Sequence, residues 1–259
     1  MKKYFVFSDV HSFFSILKKE LDNNGFDINN DNHILVSCGD LFDRGKEAVK
    51  LLNFLKSIPK ERLILIRGNH CDLMEDCLFQ LEQRVNISMH HWSNGTVDTI
   101  EQLTGFSKYD LVCGLYNFRE IKERMADYFE LVSKAVDYFE IGDYILVHGW
   151  IPYILEDSHC KSGELSAVLK PRFILANDKE MWDKARWLNG MKEANAGIVF
   201  PDKTIVCGHY HTGYGFKNIL HTHLDEFDCF DIYRNKGIIA LDSCVAYSHK
   251  LNILVLESE

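Results

Sequence analysis

Two aspartates, an asparagine and four histidines stand where short apolar runs end, and they are residue types that hold cations. Asp9 and His11 follow Tyr4-Phe5-Val6-Phe7, and Asp40 follows the run His33–Cys38 and a glycine. Asn69 follows Leu63–Ile66, His148 follows Tyr144–Val147, and His209 and His211 follow Thr204–Cys207. A strand alternates its side chains, so residues two apart, such as Asp9 and His11, share a face. The Asp40 carboxylate has two oxygens and can bridge two cations. Asn69 offers a carbonyl oxygen, and the histidines offer ring nitrogens. Mixed oxygen and nitrogen ligation without thiolate suits manganese, iron or zinc better than calcium or a structural zinc. Two such ions, about 3.5–4 Å apart, would clamp a phosphoryl group and acidify a bridging water. Each piece has a bland reading alone: a surface Asp-x-His, a hydrogen-bonded strand-end histidine, a Gly-Asn-His turn. Five pieces in order, each at a strand end, point to one dinuclear site.

The elements around these residues explain how they could meet. Continuous apolar runs of this length suit strands buried on both faces. Between the first three runs lie helical patterns. Phe13, Ile16, Leu17 and Leu21 share one face before Gly25, and Ala48, Leu51, Leu52 and Leu55 share another before Pro59. The order β-α-β-α-β implies parallel neighbours with right-handed crossovers. Polar residues at the carboxyl ends of such strands collect along one sheet edge, where α/β proteins place ligands. Gly237–Leu241 and Asn252–Leu256 read as late strands with no ligand at their ends. From about residue 71 to 141 the pattern is mainly helical. Phe118, Ile121, Met125, Phe129, Val132, Val136 and Phe139 predict one long helix with its apolar stripe packed in a core. No repeat or linker interrupts the chain, so residues 1–259 are expected to form one domain carrying this helical insertion.

Bulk properties narrow the class. The chain has 259 residues, 46% hydrophobic and 26% charged, the composition of a globular protein with a buried core. A net charge of −9 argues against general nucleic-acid binding. It does not exclude a phosphorylated substrate, since bound cations reverse the local field. The first apolar run is too short for a signal-peptide core, and no segment approaches the roughly 18 apolar residues of a membrane span. The eight cysteines form no Cys-x-x-Cys pair and read as reduced, mostly buried thiols of a cytoplasmic protein.

The series Asp9–His11, Gly39–Asp43, Gly68–His70, His148 and Gly208–His211 resembles the motif series of the calcineurin-like metallophosphoesterase superfamily. The resemblance implies a four-layer α-β-β-α sandwich with two mixed sheets and a dinuclear site at one edge. By position, Asp9, His11, Asp40 and His211 would hold one metal, and Asp40, Asn69, His148 and His209 the other. Gly39-Asp40-Leu41-Phe42-Asp43-Arg44-Gly45 and Arg67-Gly68-Asn69-His70 are similar to the phosphoprotein phosphatase branch, which includes serine/threonine phosphatases and dinucleoside tetraphosphatases. His91-Trp92-Ser93-Asn94-Gly95 resembles a Trp-x-x-Asn-Gly loop of bacterial and phage members. Ser8 and Ser12 stand where the branch has glycines, Cys71 stands where it has an acid, and Gly208-His209-Tyr210-His211 follows the wider superfamily.

The resemblance also positions His70 to protonate the leaving oxygen, with Asp43 orienting its ring and Arg44 neutralising charge on the phosphoryl group. On the substrate side the candidates are Arg44, Asn69 and Arg186, the last as a second phosphate clamp between Trp182 and Trp187. His221, His223 and Asp225 look like another cluster, but no apolar strand precedes them and a solvated loop is the simpler reading. His90-His91 is ambiguous, and Glu120, Glu123 and Asp127 read as a solvent face. The leading expectation is a metal-dependent phosphomonoesterase. A phosphodiesterase or dinucleoside polyphosphate hydrolase is the alternative, and a non-catalytic scaffold retaining the metal site is the reading from another class.

Overall fold

A computed structural model of the chain describes residues 1–157, 169–175 and 178–258. The first half alternates strand and helix as the apolar runs predict: β1 (Lys2–Phe7), α1 (Phe14–Asn23), β2 (His33–Ser37), α2 (Ala48–Ser57) and β3 (Leu63–Leu65). Helices α3 (Asn69–Glu82), α4 (Met89–Asn94), α5 (Thr96–Thr104), α6 (Lys108–Cys113), α7 (Phe118–Arg124) and α8 (Ala126–Val132) follow. Then come β4 (Phe139–Ile141), β5 (Tyr144–Leu146), the hairpin β6 (Tyr153–Asp157) and β7 (Leu169–Phe173), α9 (Lys179–Ala185) and α10 (Gly190–Asn195). The chain ends with β8 (Thr204–Cys207), α11 (Gly213–Asn218), β9 (Tyr233–Asn235), β10 (Ile238–Ala240), α12 (Val245–Ser248) and β11 (Leu254–Ser258).

Two mixed sheets result, in the orders β11-β1-β2-β3 and β4-β5-β8-β10-β9. In the first, β1, β2 and β3 are parallel and β11 is antiparallel to β1. In the second, β5, β8 and β10 are parallel, flanked by antiparallel β4 and β9. Side-chain alternation shows how the layers stack. Val6, Val36, Leu146, Val206 and Ile239 point into a core between the sheets. Their neighbours Phe5, Phe7 and Leu35 point outward into a core with α1, α2, α3, α5 and α8. Ile145, Ile205, Cys207, Ile238 and Ala240 point into a third core that holds Trp182 and Met191 of α9 and α10. The order helix, sheet, sheet, helix is therefore the four-layer sandwich.

The expected long helix over 118–139 is corrected. The chain breaks at Met125, which ends α7 and precedes α8, and Phe139 lies in β4. Ile121 and Met125 are fully buried, with Phe118, Phe129 and Val132 packed beside them, so the stripe does face the core. Val136 is instead 43% exposed and pairs with Ile66, exchanging backbone hydrogen bonds with Leu65 and Arg67. Continuing the helix would leave those strand-edge groups unpaired, a cost greater than the helical preference. Seven described cysteines are unbonded, but only Cys38, Cys77 and Cys207 are fully buried and Cys113 is exposed. Cys160 lies outside the described residues. Among the described residues no helix is long and apolar enough to cross a membrane.

Candidate metal centre

The parallel strands of both sheets point their carboxyl ends at one edge, and the loops there are strained. Asp9, His11, Asp40, Asp43, Arg44 and His209 all take positive φ angles between 44° and 76°. Such conformations cost energy for residues other than glycine and cluster where function dictates side-chain direction. Here they turn the side chains after β1, β2 and β8 inward. Asp40 is the hub, 3% exposed. Its carboxylate lies 3.9 Å from His11 Nε2, 3.7 Å from His70 Nε2 and 3.5 Å from His148 Nε2. Two groups of metal-competent atoms share it: His11, Asp40 and His70, and Asp40, His148 and His209.

The ring tautomers favour cations at this spot. His11 Nδ1 donates to the Phe42 carbonyl at 2.9 Å and His148 Nδ1 donates to the Cys38 carbonyl at 2.8 Å. A carbonyl only accepts, so each ring turns its Nε2 lone pair inward. His148 Nε2 and His209 Nδ1 then converge on Asn69 Oδ1 at 2.7 and 3.0 Å. Where the His148 Nε2 lone pair faces Asn69 Oδ1, two acceptors meet in a buried site, an arrangement that a cation would relieve. The carboxyls say the same. Burial, and then the Asp40 charge, push Asp9 up to about 7. Burial and Asp9 raise Asp242 well above the carboxylate range. Asp40 stays ionised despite its burial, because the imidazoles around it, His148 first, lower its pKa. His11 is driven well below the usual histidine value by burial and Arg44, and His209 falls to about 3 through burial and His148. Neutral imidazole is the form that binds metal. The donor set therefore fits divalent cations.

His70 and Asp43 form a second feature beside Asp40. His70 Nδ1 lies 2.7 Å from Asp43 Oδ2, and Arg44 Nη2 lies 3.3 Å from His70 Nε2. Asp43 is fixed in turn by the hydroxyls of Thr96 and Thr99, which donate to its two oxygens at 2.9 and 2.8 Å. Those threonines open α5, directly after the Trp92–Gly95 segment, which forms the end of α4 and its left-handed cap rather than a free loop. Arg44 is exposed while Asp43 and His70 are buried.

Two expected site residues take other places. Arg186 is 3% exposed, and its guanidinium donates to Asp72, Asp137 and Asp183. Arg67 joins the same cluster through Asp72 and Glu75. Arg186 thus fastens α9 to α3, and the expectation of a second phosphate clamp is corrected because its donors are already engaged. His211 lies outside both three-residue groups. Its ring stacks on Phe227 at 5.3 Å and its Nε2 stands 3.2 Å from Glu226, leaving a buried Nδ1 without a hydrogen-bond partner. His221, His223 and Asp225 are exposed loop residues, as the simpler reading held, and His91 is buried against Asp76.

Asp242 was missed, although it follows the apolar run of β10 just as Asp40 follows that of β2. Thr96 and Thr99 were missed because a threonine's partner 50 residues away leaves no local pattern. Gly68 carries a sharper constraint. A methyl at this position would run into Asp40 Oδ1 and the Asp40 amide. Gly68→Ala is expected to displace Asp40 and weaken metal retention by roughly tenfold or more, the scale of lost ligand-orienting contacts. Metal content after desalting checks this, with circular dichroism confirming the fold.

The chain is similar to several known proteins. A bis(5'-nucleosyl)-tetraphosphatase, PrpE, of Oceanobacillus iheyensis is 27% identical over 154 residues. The alignment spans 57% of this chain and 56% of that protein, so little more than half of the relative is matched. A candidate diadenosine tetraphosphatase of known structure superposes with a TM-score of 0.51 at 14% identity, covering 98% of this chain and 89% of its own. A serine/threonine phosphatase from Saccharomyces cerevisiae gives 0.50 at 14% identity, over 100% and 80% of the two chains. At such identity these structures speak for the fold alone. Residues 2–213, from the first strand past the last histidine of the site, match the calcineurin-like phosphoesterase family, and the chain belongs to that family of metal-dependent phosphoester hydrolases.

Proposed function

We propose that the protein is a dinuclear phosphatase acting on phosphomonoesters, with catalytic groups like those of the serine/threonine phosphatase branch. The observation that supports it most is the His70–Asp43 pair with exposed Arg44 beside the shared carboxylate of Asp40. Asp9, His11, Asp40 and His211 would hold one ion, and Asp40, Asn69, His148 and His209 the other. His211 would ligate through Nδ1, the atom that has no protein partner, while Glu226 orients the ring. Manganese, iron or zinc suits these donors. When bound, the ions polarise the phosphoryl oxygens and acidify water for in-line attack.

The chain's own groups supply the rest. Arg44, a five-donor fork, trades His70 Nε2 for the phosphoryl oxygens when substrate arrives. Once Arg44 has turned to the phosphate, Nε2 no longer accepts from the guanidinium and can take up a proton from solvent, which it then gives to the departing oxygen. Asp43 holds the Nδ1 proton and keeps the ring oriented. Asn69, whose Oδ1 meets the His148 and His209 rings, would contact the phosphoryl group as well as a cation.

A second reading, hydrolysis of a dinucleoside polyphosphate, is supported by the name of the Oceanobacillus relative. The same ions, clamp and acid would serve, with a nucleotide as leaving group. A manganese-loaded sample should hydrolyse phosphoserine peptide and para-nitrophenyl phosphate faster than bis(para-nitrophenyl) phosphate. A higher kcat/KM on diadenosine tetraphosphate than on any monoester would favour the second reading. No turnover on any of them would remove both.

A further inference from the structure

Resting on the phosphoesterase reading, we infer that Trp187 and Tyr210 form a stacking platform for the base of a nucleotide substrate. Trp187 is 44% exposed and Tyr210 39% exposed, and both border His209. The indole meets the His209 ring edge to face at 5.8 Å, and the Tyr210 ring meets it at 5.2 Å. Tyr210 also meets Tyr214 edge to face at 6.0 Å, yet both rings keep open surface beside the candidate cation site. Every nucleobase has a π-face that such rings accept.

Trp187 is also held in place, which a platform requires. The preceding Arg186 is buried on three carboxylates. The Ala185 carbonyl accepts from the Trp150 amide at 3.0 Å. Gly149, next to His148, lets the Ala185 and Arg186 carbonyls approach so closely that a methyl there would sit 2.6 Å from each. The end of α9 is thereby fastened to the loop that carries His148, which fixes the Trp187 backbone at the rim while the indole rests against the His209 ring. Binding then costs little ordering entropy.

Position selects a nucleotide over a ring attached directly to the ester oxygen. Arg44 and His70 mark one flank of the site, His70 lying 3.7 Å from Asp40. Asp40 shares the second group of ligands with His209, and Trp187 stands beyond His209. A phosphoryl group held at Arg44 lies across Asp40 and His209 from the indole, a separation that a ribose between phosphate and base would span.

Trp187 is the position to test, because Tyr210 lies between two candidate ligands. The phosphonate analogue of 5′-AMP, titrated into the zinc-loaded protein, should quench tryptophan fluorescence saturably, and the quench should vanish in Trp187→Ala, since Trp150 and Trp182 are buried and Trp92 is half-buried against the helical core. By isothermal titration its Kd should rise roughly tenfold in Trp187→Ala and recover in Trp187→Phe. An unchanged Kd in Trp187→Ala overturns the platform, whatever the enzyme hydrolyses. The ratio of kcat/KM for 5′-AMP over methyl phosphate should fall by a similar factor in Trp187→Ala. Equal falls for both substrates would make Trp187 a structural residue and sink the proposal. A loss on phenyl phosphate as large as that on 5′-AMP would overturn the assignment to a base. Wild-type protein that binds the analogue yet hydrolyses neither ester would instead defeat the phosphomonoesterase reading alone.

Discussion

Asp40→Asn is expected to fold and to retain neither metal ion after manganese loading and desalting. The carboxylate is the one group common to both sets of ligand atoms. Replacing one oxygen with an amide removes the charge and half of the bridging capacity at once. Loss of a contact that merely orients a ligand costs about 10–100-fold in metal affinity, so loss of the shared ligand should exceed that range. The fold should survive, because Asn preserves the shape of the side chain. Its remaining oxygen can still accept from the His70 amide, now 3.1 Å from Asp40 Oδ1. Removing the charge also relieves Asp9, whose carboxyl the Asp40 charge helps to push up to about 7. Elemental analysis gives the metal-to-protein ratio, and the thermal midpoint of the metal-free protein gives the stability control. Two ions at full occupancy in a folded Asp40→Asn protein would contradict the bridging role.

Much of this candidate centre could be read from sequence because each candidate ligand follows a run of apolar residues. A strand buried on both faces must be apolar until it leaves the sheet, so the first polar residues mark its end. That logic located Asp9, Asp40, Asn69, His148 and His209, and the structure collects all five at one edge. Applied once more it would have located Asp242 after Ile238–Ala240, which read as a strand without a ligand. The two-sheet stacking was less accessible. Alternation along Phe5-Val6-Phe7 shows two buried faces but not what covers each.

What sequence could not supply is the choice of partner. Arg186 stands between aromatic residues in a way that suits an anion clamp, yet Asp72 and Asp137 lie 114 and 49 residues away. Only the fold brings those carboxylates to it. His211 belongs to the Gly-His-x-His pattern, but its ring direction depends on Phe227 and Glu226, which follow in a loop without periodicity. The break at Met125 has no glycine or proline to announce it. The apolar stripe continues through it with helical spacing, and the deciding factor is the pairing of Val136 with the end of β3. Local pattern thus records burial well and long-range hydrogen bonding poorly.

His70→Ala should lower turnover of an alkyl phosphomonoester by roughly a hundredfold or more, the scale of a lost general acid. Both metals should stay bound, since the backbone amide that supports Asp40 is unchanged. The defect should depend on the leaving group. An alkoxide needs a proton as it departs, whereas para-nitrophenolate leaves nearly as well without one, so the aryl ester should lose less. The pH profile gives an independent check. Burial alone would lower the His70 pKa, but Asp40 and then Asp43 raise it above the usual histidine value. The acid must be protonated to act, so activity on the alkyl ester falls as pH rises through that pKa. Cations on Asp40 would spend much of its charge, leaving Asp43, 2.7 Å from Nδ1, as the group that sustains the proton. Asp43→Asn should therefore move the alkaline limb to lower pH, while His70→Ala should abolish it. Wild-type turnover of the alkyl ester by His70→Ala, or an alkaline limb indifferent to Asp43→Asn, would remove His70 from the role of acid.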